Sequence, residues 1–515
     1  MTYRTAALLL SSCAAACGSS TTPARGSPTP SPVVPASVLE HHNGPRRDGL
    51  YLQPTLTRAA AAAMQLDATF DGRFSGNVYA QPLYVANGPG GHGTFYVATE
   101  DDEVLALDEA NGSILWRRTL GTPAQRTGAG CGNISPLGIT GTPAINLARR
   151  TLYLDAVTGN DRTITQHLVH ALSLDDGSET SGWPLDVATV ASGTIAFDPV
   201  VQNQRGALTI AGNVLYVPYG GHAGDCGPYH GWVLSVPLDA PATATAWATP
   251  ATGGGIWAPG GLANDGAFVY AATGNTFGAS DWSGGEAVVR LEPGAVFSAQ
   301  AADYFAPSNW KALDGRDVDL GGSGPVLLDA PGATPSALAV ALGKNGVAYL
   351  LDRRHLGGVG NGNGTQGEGV FSARVANGAI INAAAAYTTA AGTHLVFHGY
   401  RSARGSDCPA NQPGDVVSLL ISATSPPALT TAWCGDNEGQ GFPIVTTTDG
   451  HAEALVWAAA AEGSGRLHAW DGDTGALVFR STDVLAGLRR FGTPIAVNGR
   501  ILVAADNRLY AFRPQ

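Results

Sequence analysis

The chain is predicted to be all-β, an eight-bladed β-propeller of four-stranded blades, closed by an N-terminal strand that pairs into the last blade. Three observations lead there. Of 515 residues, 44% are hydrophobic, only 14% are charged and 69 are glycine, a balance that suits many short buried strands joined by tight turns better than amphipathic helices. One strand–turn–strand pattern recurs at intervals of roughly 40 to 60 residues, the spacing of propeller blades. The final copy of that pattern is one strand short, and a spare strand precedes the first copy.

The clearest copy is FYVATEDDEVLALDEANGSILW, residues 95–116. It holds two β-rich runs, an Asn-Gly turn and a strand closing on Trp116. LVWAAAAEGSGRLHAWDGDTGALVFR, residues 455–480, repeats it with Asp471, Thr474 and Gly475 in the turn. Weaker copies follow Leu152, Leu215, Phe268, Leu338 and Leu395, and the last, ILVAADNRLYAF (501–512), lacks an outermost strand. MQLDATFDG (64–72) is expected to supply that strand, which would close the ring and remove an exposed sheet edge. Just before it, LTRAAAAAM (56–64) reads as a short alanine-rich helix capped by Thr57.

Residues 1–17 read as a lipoprotein signal peptide. Arg4 precedes the apolar run AALLLSSCAAAC, which is too short to span a bilayer and places small residues before a cysteine. Cys17 is the expected lipidation site because it lengthens the apolar region and leads into the polar GSSTTPARGSPTPSP; Cys13 is the alternative. Residues 18–40, rich in Ser, Thr and Pro, are expected to form a disordered tether, leaving 41–515 as the propeller. Such a chain would be exported and held at a bacterial membrane, periplasmic or outer, through its lipid alone.

Cys131, Cys226, Cys408 and Cys434 make an even set in an exported chain, so disulfides are expected. Cys408 and Cys434 fall within one repeat, which leaves Cys131 for Cys226. The net charge of −12, with no cluster of Lys and Arg, argues against a nucleic-acid partner.

The blade repeat, the segment HHNGPRRDGLYLQPTLT (41–57) and GITGTPAI (138–145) resemble the pyrroloquinoline-quinone-type propellers. That family includes the quinoprotein alcohol dehydrogenases and an eight-bladed lipoprotein of the outer-membrane barrel-assembly machinery. The resemblance spans roughly residues 40–515 and implies the fold better than the activity, because this fold carries both enzymes and scaffolds. In the dehydrogenases a glycine run leads to a tryptophan that floors the quinone, and a Gly-Asn after the next strand gives calcium an oxygen ligand. In GGGIWAPGGLANDGAFVYAATGN (253–275), Trp257 and Asn275 match those positions. An indole face suits a flat cofactor and an amide oxygen suits calcium. The same two residues equally suit blade packing and an ordinary turn.

Other family positions are altered. The calcium-binding glutamate aligns best with DCGPYHGWV (225–233), which puts Cys226 near that site with Asp225 beside it. The catalytic aspartate aligns with FAPSNW (305–310), which puts Asn309 in its place, and an amide cannot take an alcohol's proton. Asp314, Asp317 and Asp319 follow; they could substitute only if the loop is rearranged, and are otherwise solvated turn carboxylates. Neither an adjacent-cysteine pair nor a haem-attachment CxxCH is present. His222 and His230 flank a glycine-rich loop that could offer ligands to copper or zinc, though at no standard spacing, or could be a disulfide-pinned loop. His167, His170, His394 and His398 fall in strand-like runs and suit packing. The expected function is therefore a catalytically degenerate binding module for an envelope protein or a small ligand, without a cofactor. The alternative is an alcohol or sugar dehydrogenase dependent on pyrroloquinoline quinone and calcium, with a diverged site.

Overall fold

The computed structural model describes residues 1–2, 36–125, 131–161, 163–361 and 367–515. Cys13, Cys17 and nearly all of the expected signal peptide and tether lie outside the described residues. The compact unit runs from Ala36 to Gln515, starting a few residues before the expected boundary at residue 41. Val38 pairs with Tyr84 and Glu40 is buried, so the last residues assigned to the tether belong to the fold.

Eight antiparallel sheets form the blades. Seven cover residues 83–119, 144–186, 209–248, 263–306, 326–374, 385–435 and 444–480. The eighth joins Ile495–Val497, Arg500–Ala505 and Arg508–Pro514 to the N-terminal strand Met64–Leu66. Met64 lies opposite Pro514 and Leu66 opposite Phe512, so the first and last strands of the ring close it as expected. Only two short α-helices occur among the described residues, Arg58–Ala62 and Trp310–Asp314. The first is capped by Thr57, whose hydroxyl accepts the Ala60 amide at 3.1 Å.

The packing explains the repeat. Trp433, at the outer edge of the sixth blade, donates its indole N–H to the Gly472 carbonyl at 2.8 Å, in the turn of the seventh. Gly475 in that turn has φ +71°, and a Cβ there would stand 2.8 Å from Trp433. Trp116 meets the second blade in the same way, through the Leu174 carbonyl at 2.9 Å and Gly177 at φ +70°. These two turns are thus seats for the preceding blade's tryptophan, and only glycine combines that φ with that approach, whereas Gly112 of the first blade, at φ +81°, lets the backbone of Asp71 and Gly72 approach instead.

The segment 38–53 is a strap that touches all eight blades. Val38 pairs with Tyr84 of the first blade, and the Leu39 carbonyl accepts the Ile145 amide of the second at 2.8 Å. Glu40 accepts the Ile210 amide of the third at 2.9 Å. The carbonyls of Pro45, Arg46, Asp48 and Gly49 accept from Asn264, Leu327, Ala386 and Val445, in the fourth to seventh blades, at 2.7 to 2.9 Å. Gln53 accepts the Gly499 amide of the eighth at 2.8 Å. Inside the strap, Arg47 is 2% exposed and donates to the Leu262 and Leu208 carbonyls, both at 2.7 Å, and to Glu40 at 3.1 Å.

Both disulfides join the expected cysteines, Cys131 with Cys226 and Cys408 with Cys434.

Candidate functional site

The glycine run and the ATGN turn hold each other. The Gly254 amide donates to the Asn275 carbonyl at 2.6 Å and the Gly274 amide to the Gly255 carbonyl at 3.0 Å. A Cβ on Gly253, at φ +83°, would come within 2.5 Å of the Asn275 carbonyl. The glycines therefore allow two loops to pass at backbone distance, and that contact sets the direction of the tryptophan that follows. Asp314 fixes the other side of the turn, accepting from the Thr276 amide at 2.9 Å and from the Thr276 hydroxyl at 2.6 Å.

Trp257 is only partly buried. It lines a cavity of about 210 Å³, walled by Arg205, His222, Asp225, Tyr229, Asp319 and Lys344. None of these residues belongs to the strap. The Trp257 indole N–H donates to Asp319 at 3.0 Å. The Lys344 ammonium bonds the same carboxylate at 3.0 Å, bonds Asp317 at 2.8 Å, and lies 5.1 Å from the centroid of the indole ring. Asp319 therefore stands at the edge of Trp257, and Asp317, bonded to the same ammonium, also lines the cavity, whereas Asn309 does neither.

Asn309 precedes the helix Trp310–Asp314, is exposed, and lines a separate cleft of about 610 Å³ together with Ser308, Arg316, Glu368 and Arg374. Lys344 borders both spaces. The short helix and the bend after it bring the later carboxylates to the cavity in place of Asn309, an arrangement that alignment of FAPSNW alone does not show.

Burial sets the electrostatics. It pushes the Asp319 carboxyl up to about 6, against the pull of Lys344. Behind it, Glu286 is 0% exposed, and burial together with Asp319 pushes its carboxyl up to about 9. One Glu286 oxygen accepts the Leu320 amide at 2.6 Å and the other has no partner. Burial works against the Lys344 charge, but Asp319 and Asp317 outweigh it and hold the ammonium above the ordinary lysine range. Near neutral pH the cavity thus has an ionised Asp319 and a charged Lys344, with a neutral Glu286 behind them.

A planar group fits this site, because an indole face borders a cavity ringed by cationic and hydrogen-bonding side chains. Calcium does not fit. Asn275 is 6% exposed and its side-chain amide accepts nothing from the described residues, but the carboxylates that should join it are otherwise engaged. Asp319 serves Lys344 and Trp257 through Oδ2 and keeps only Oδ1 unpartnered, Asp225 accepts the Tyr229 hydroxyl at 2.7 Å, and Cys226 is in a disulfide. Among the described residues no three His, Cys, Asp or Glu side chains converge on a possible metal position. That covers the loop with His222 and His230 as well; His230 bonds the Thr249 carbonyl at 2.8 Å.

The other histidines pack. His167 bonds Asp155 at 2.8 Å, His170 bonds Glu179 at 2.7 Å, His394 stacks on Tyr387, and His398 lies 3.3 Å from Asp415. Sequence reasoning passed over Arg205, Glu286 and Lys344. Lys344 had a visible signal, being one of only two lysines in the chain and standing in a Gly-Lys-Asn-Gly turn.

No protein-family model and no curated protein matches the chain. Solved structures do match. The quinohemoprotein alcohol dehydrogenase of Comamonas testosteroni aligns at 14% identity and TM-score 0.57, covering 93% of this chain and 80% of that one. The quinohemoprotein alcohol dehydrogenase ADHIIG of Pseudomonas putida HK5 aligns at 12% identity and TM-score 0.59, with the same 93% and 80%. A europium-containing methanol dehydrogenase aligns at 15% identity and TM-score 0.61, covering 91% of this chain and 89% of that one. At such identities the likeness is one of fold.

Proposed function

We propose, taking as premise an eight-bladed propeller with the fold of the quinoprotein alcohol dehydrogenases, that this chain binds a small planar ligand of the quinone class over Trp257 without calcium. The observation that carries this is the partly exposed Trp257 indole lining a cavity, with Asp319 at its edge and Lys344, paired to Asp319, 5.1 Å over its ring. Stacking supplies dispersion and area burial, and the ion pair supplies a donor and an acceptor to the cavity. The disulfide between Cys131 and Cys226 supports the cavity wall, since Cys226 sits between the lining residues Asp225 and Tyr229.

The test is a thermal melt with pyrroloquinoline quinone, in chelator and again in excess calcium. Ligand at a hundredfold excess over Kd should stabilise the protein by about 2.7 kcal/mol. The account expects the same upward shift in both buffers. A shift seen only with calcium would show that a metal completes the site after all.

A second function is supported by Asp319 specifically. Its carboxylate, pushed up to about 6, is ionised at neutral pH and is placed to accept a substrate proton beside the indole. A bound quinone would supply two-electron acceptor chemistry there. A dye-linked assay over alcohols and sugars separates binding from turnover, and turnover lost in Asp319→Asn with ligand affinity retained would establish the enzyme.

The two disulfides and the signal-like leader support export as part of this reading. We infer that Cys17 carries the lipid, with Cys13 as the alternative. Fatty-acid labelling should vanish in Cys17→Ser; labelling that persists there and vanishes in Cys13→Ser would transfer the anchor to Cys13.

A further inference from the structure

The cleft beside Asn309, about 610 Å³ in volume, shares only Lys344 with the cavity over Trp257. Two further cations line it, Arg316 on the bend after the helix Trp310–Asp314 and Arg374 at the end of the strand Phe371–Arg374, and both are exposed. Among the described residues the Arg316 guanidinium makes no hydrogen bond or ion pair, and that of Arg374 bonds only the Asn345 carbonyl, at 2.8 Å. The other charges at the cleft are committed. Lys344 pairs with Asp317 and Asp319, and Glu368 accepts the Ser308 amide at 2.9 Å as well as the Ser308 hydroxyl.

Two guanidiniums without a carboxylate in one concave site stand against the rest of the chain, whose net charge is −12. Their fields add inside a cleft, where the walls weaken solvent screening. Each planar fork matches two oxygens of a carboxylate or a phosphate. The cleft also has neutral polar groups, since the exposed Asn309 amide is uncommitted among the described residues and the Asn345 amide meets the Tyr349 hydroxyl at 3.3 Å. Its volume suits a compound the size of a six-carbon sugar. We propose that this cleft binds a hydroxylated small molecule ending in an oxyanion, a sugar acid or a sugar phosphate, with the oxyanion on Arg316 and Arg374 and the hydroxyls on Asn309 and Asn345. The site is separate from the one over Trp257 and needs neither the indole nor a planar ligand.

Titration calorimetry of the full chain with D-glucuronate, D-glucose 6-phosphate and neutral D-glucose tests this. At least one of the two anions should bind, and D-glucose should bind at least about tenfold more weakly. The stronger anion identifies the oxyanion as a carboxylate or a phosphate. The double variant Arg316→Gln, Arg374→Gln should lose at least about tenfold in affinity for that anion. Both side chains are exposed, so the variant should fold as wild type does.

Trp257→Ala separates this site from the planar-ligand site, because it should leave the anion's affinity unchanged. Anion binding lost in Trp257→Ala would move the anion into the neighbouring cavity and overturn the proposal. So would binding undiminished in the double arginine variant, D-glucose binding as tightly as the anions, or neither anion binding to wild type.

Discussion

Replacing Arg47 by alanine should destabilise the protein by about 3 to 5 kcal/mol, as expected when one partner of a buried ion pair is removed. The side chain is 2% exposed and joins elements distant in sequence. It bonds Glu40 and the carbonyls of His41 and Gly44 within the strap, and the carbonyls of Leu208 and Leu262 in the third and fourth blades. Truncation leaves Glu40 buried with only Thr209 and Ile210 to satisfy it, and removes a link between strap and ring. Burial already pushes the Glu40 carboxyl up, and losing the opposing Arg47 charge would raise it further. Arg47→Lys should recover little, because an ammonium has three donors and cannot reproduce the guanidinium fork. Chemical denaturation reads both variants; a midpoint unchanged in Arg47→Ala would show that the strap is not held through this residue.

Asp102→Asn should have the opposite sign and a strong pH dependence. Asp102 is 0% exposed, neither carboxyl oxygen has a partner, and burial together with Glu100, Asp155 and Asp101 pushes its carboxyl up to about 8 from an ordinary 3.8. With the folded value raised, the folded state keeps its proton over a range where the unfolded chain has already lost it. Stability is therefore complete below about pH 4 with respect to this group, and declines as pH rises to about 8. Asparagine cannot ionise, and it tolerates the positive φ of 55° at this position. The variant should gain about 5 kcal/mol over wild type at pH 8 and little at pH 4. Melts across that range check it; parallel pH profiles for the two proteins would contradict the assignment.

The fold was legible because its repeat is local. The residues that seat a tryptophan, Asp471 to Gly475 on Trp433, lie in short turns with their own chemistry, and Met64–Leu66 announces itself as a strand without a neighbour. The strap was not legible, because most of its bonds run from backbone carbonyls to distant blades, with Glu40 and Gln53 using side chains, and leave no periodic trace in residues 38–53. The site was half legible. Trp257 and Asn275 stand at fixed offsets from a glycine run, but the partner of Trp257 is Asp319, reached through the helix Trp310–Asp314, so alignment stopped early at Asn309. Arg205 and Glu286 gave no signal at all, since a single arginine or glutamate shows a buried atom without a partner, Nε in one and Oε1 in the other, only once the surrounding blades are assembled.

The central claim is that the axial cavity over Trp257 is a working binding site. Titration calorimetry of pyrroloquinoline quinone into wild type and Trp257→Ala, in chelator, tests it most directly. The account predicts one site per chain in wild type and an affinity at least about tenfold weaker in Trp257→Ala, a loss of about 1.4 kcal/mol. No binding to wild type, or equal binding to both proteins, would contradict it.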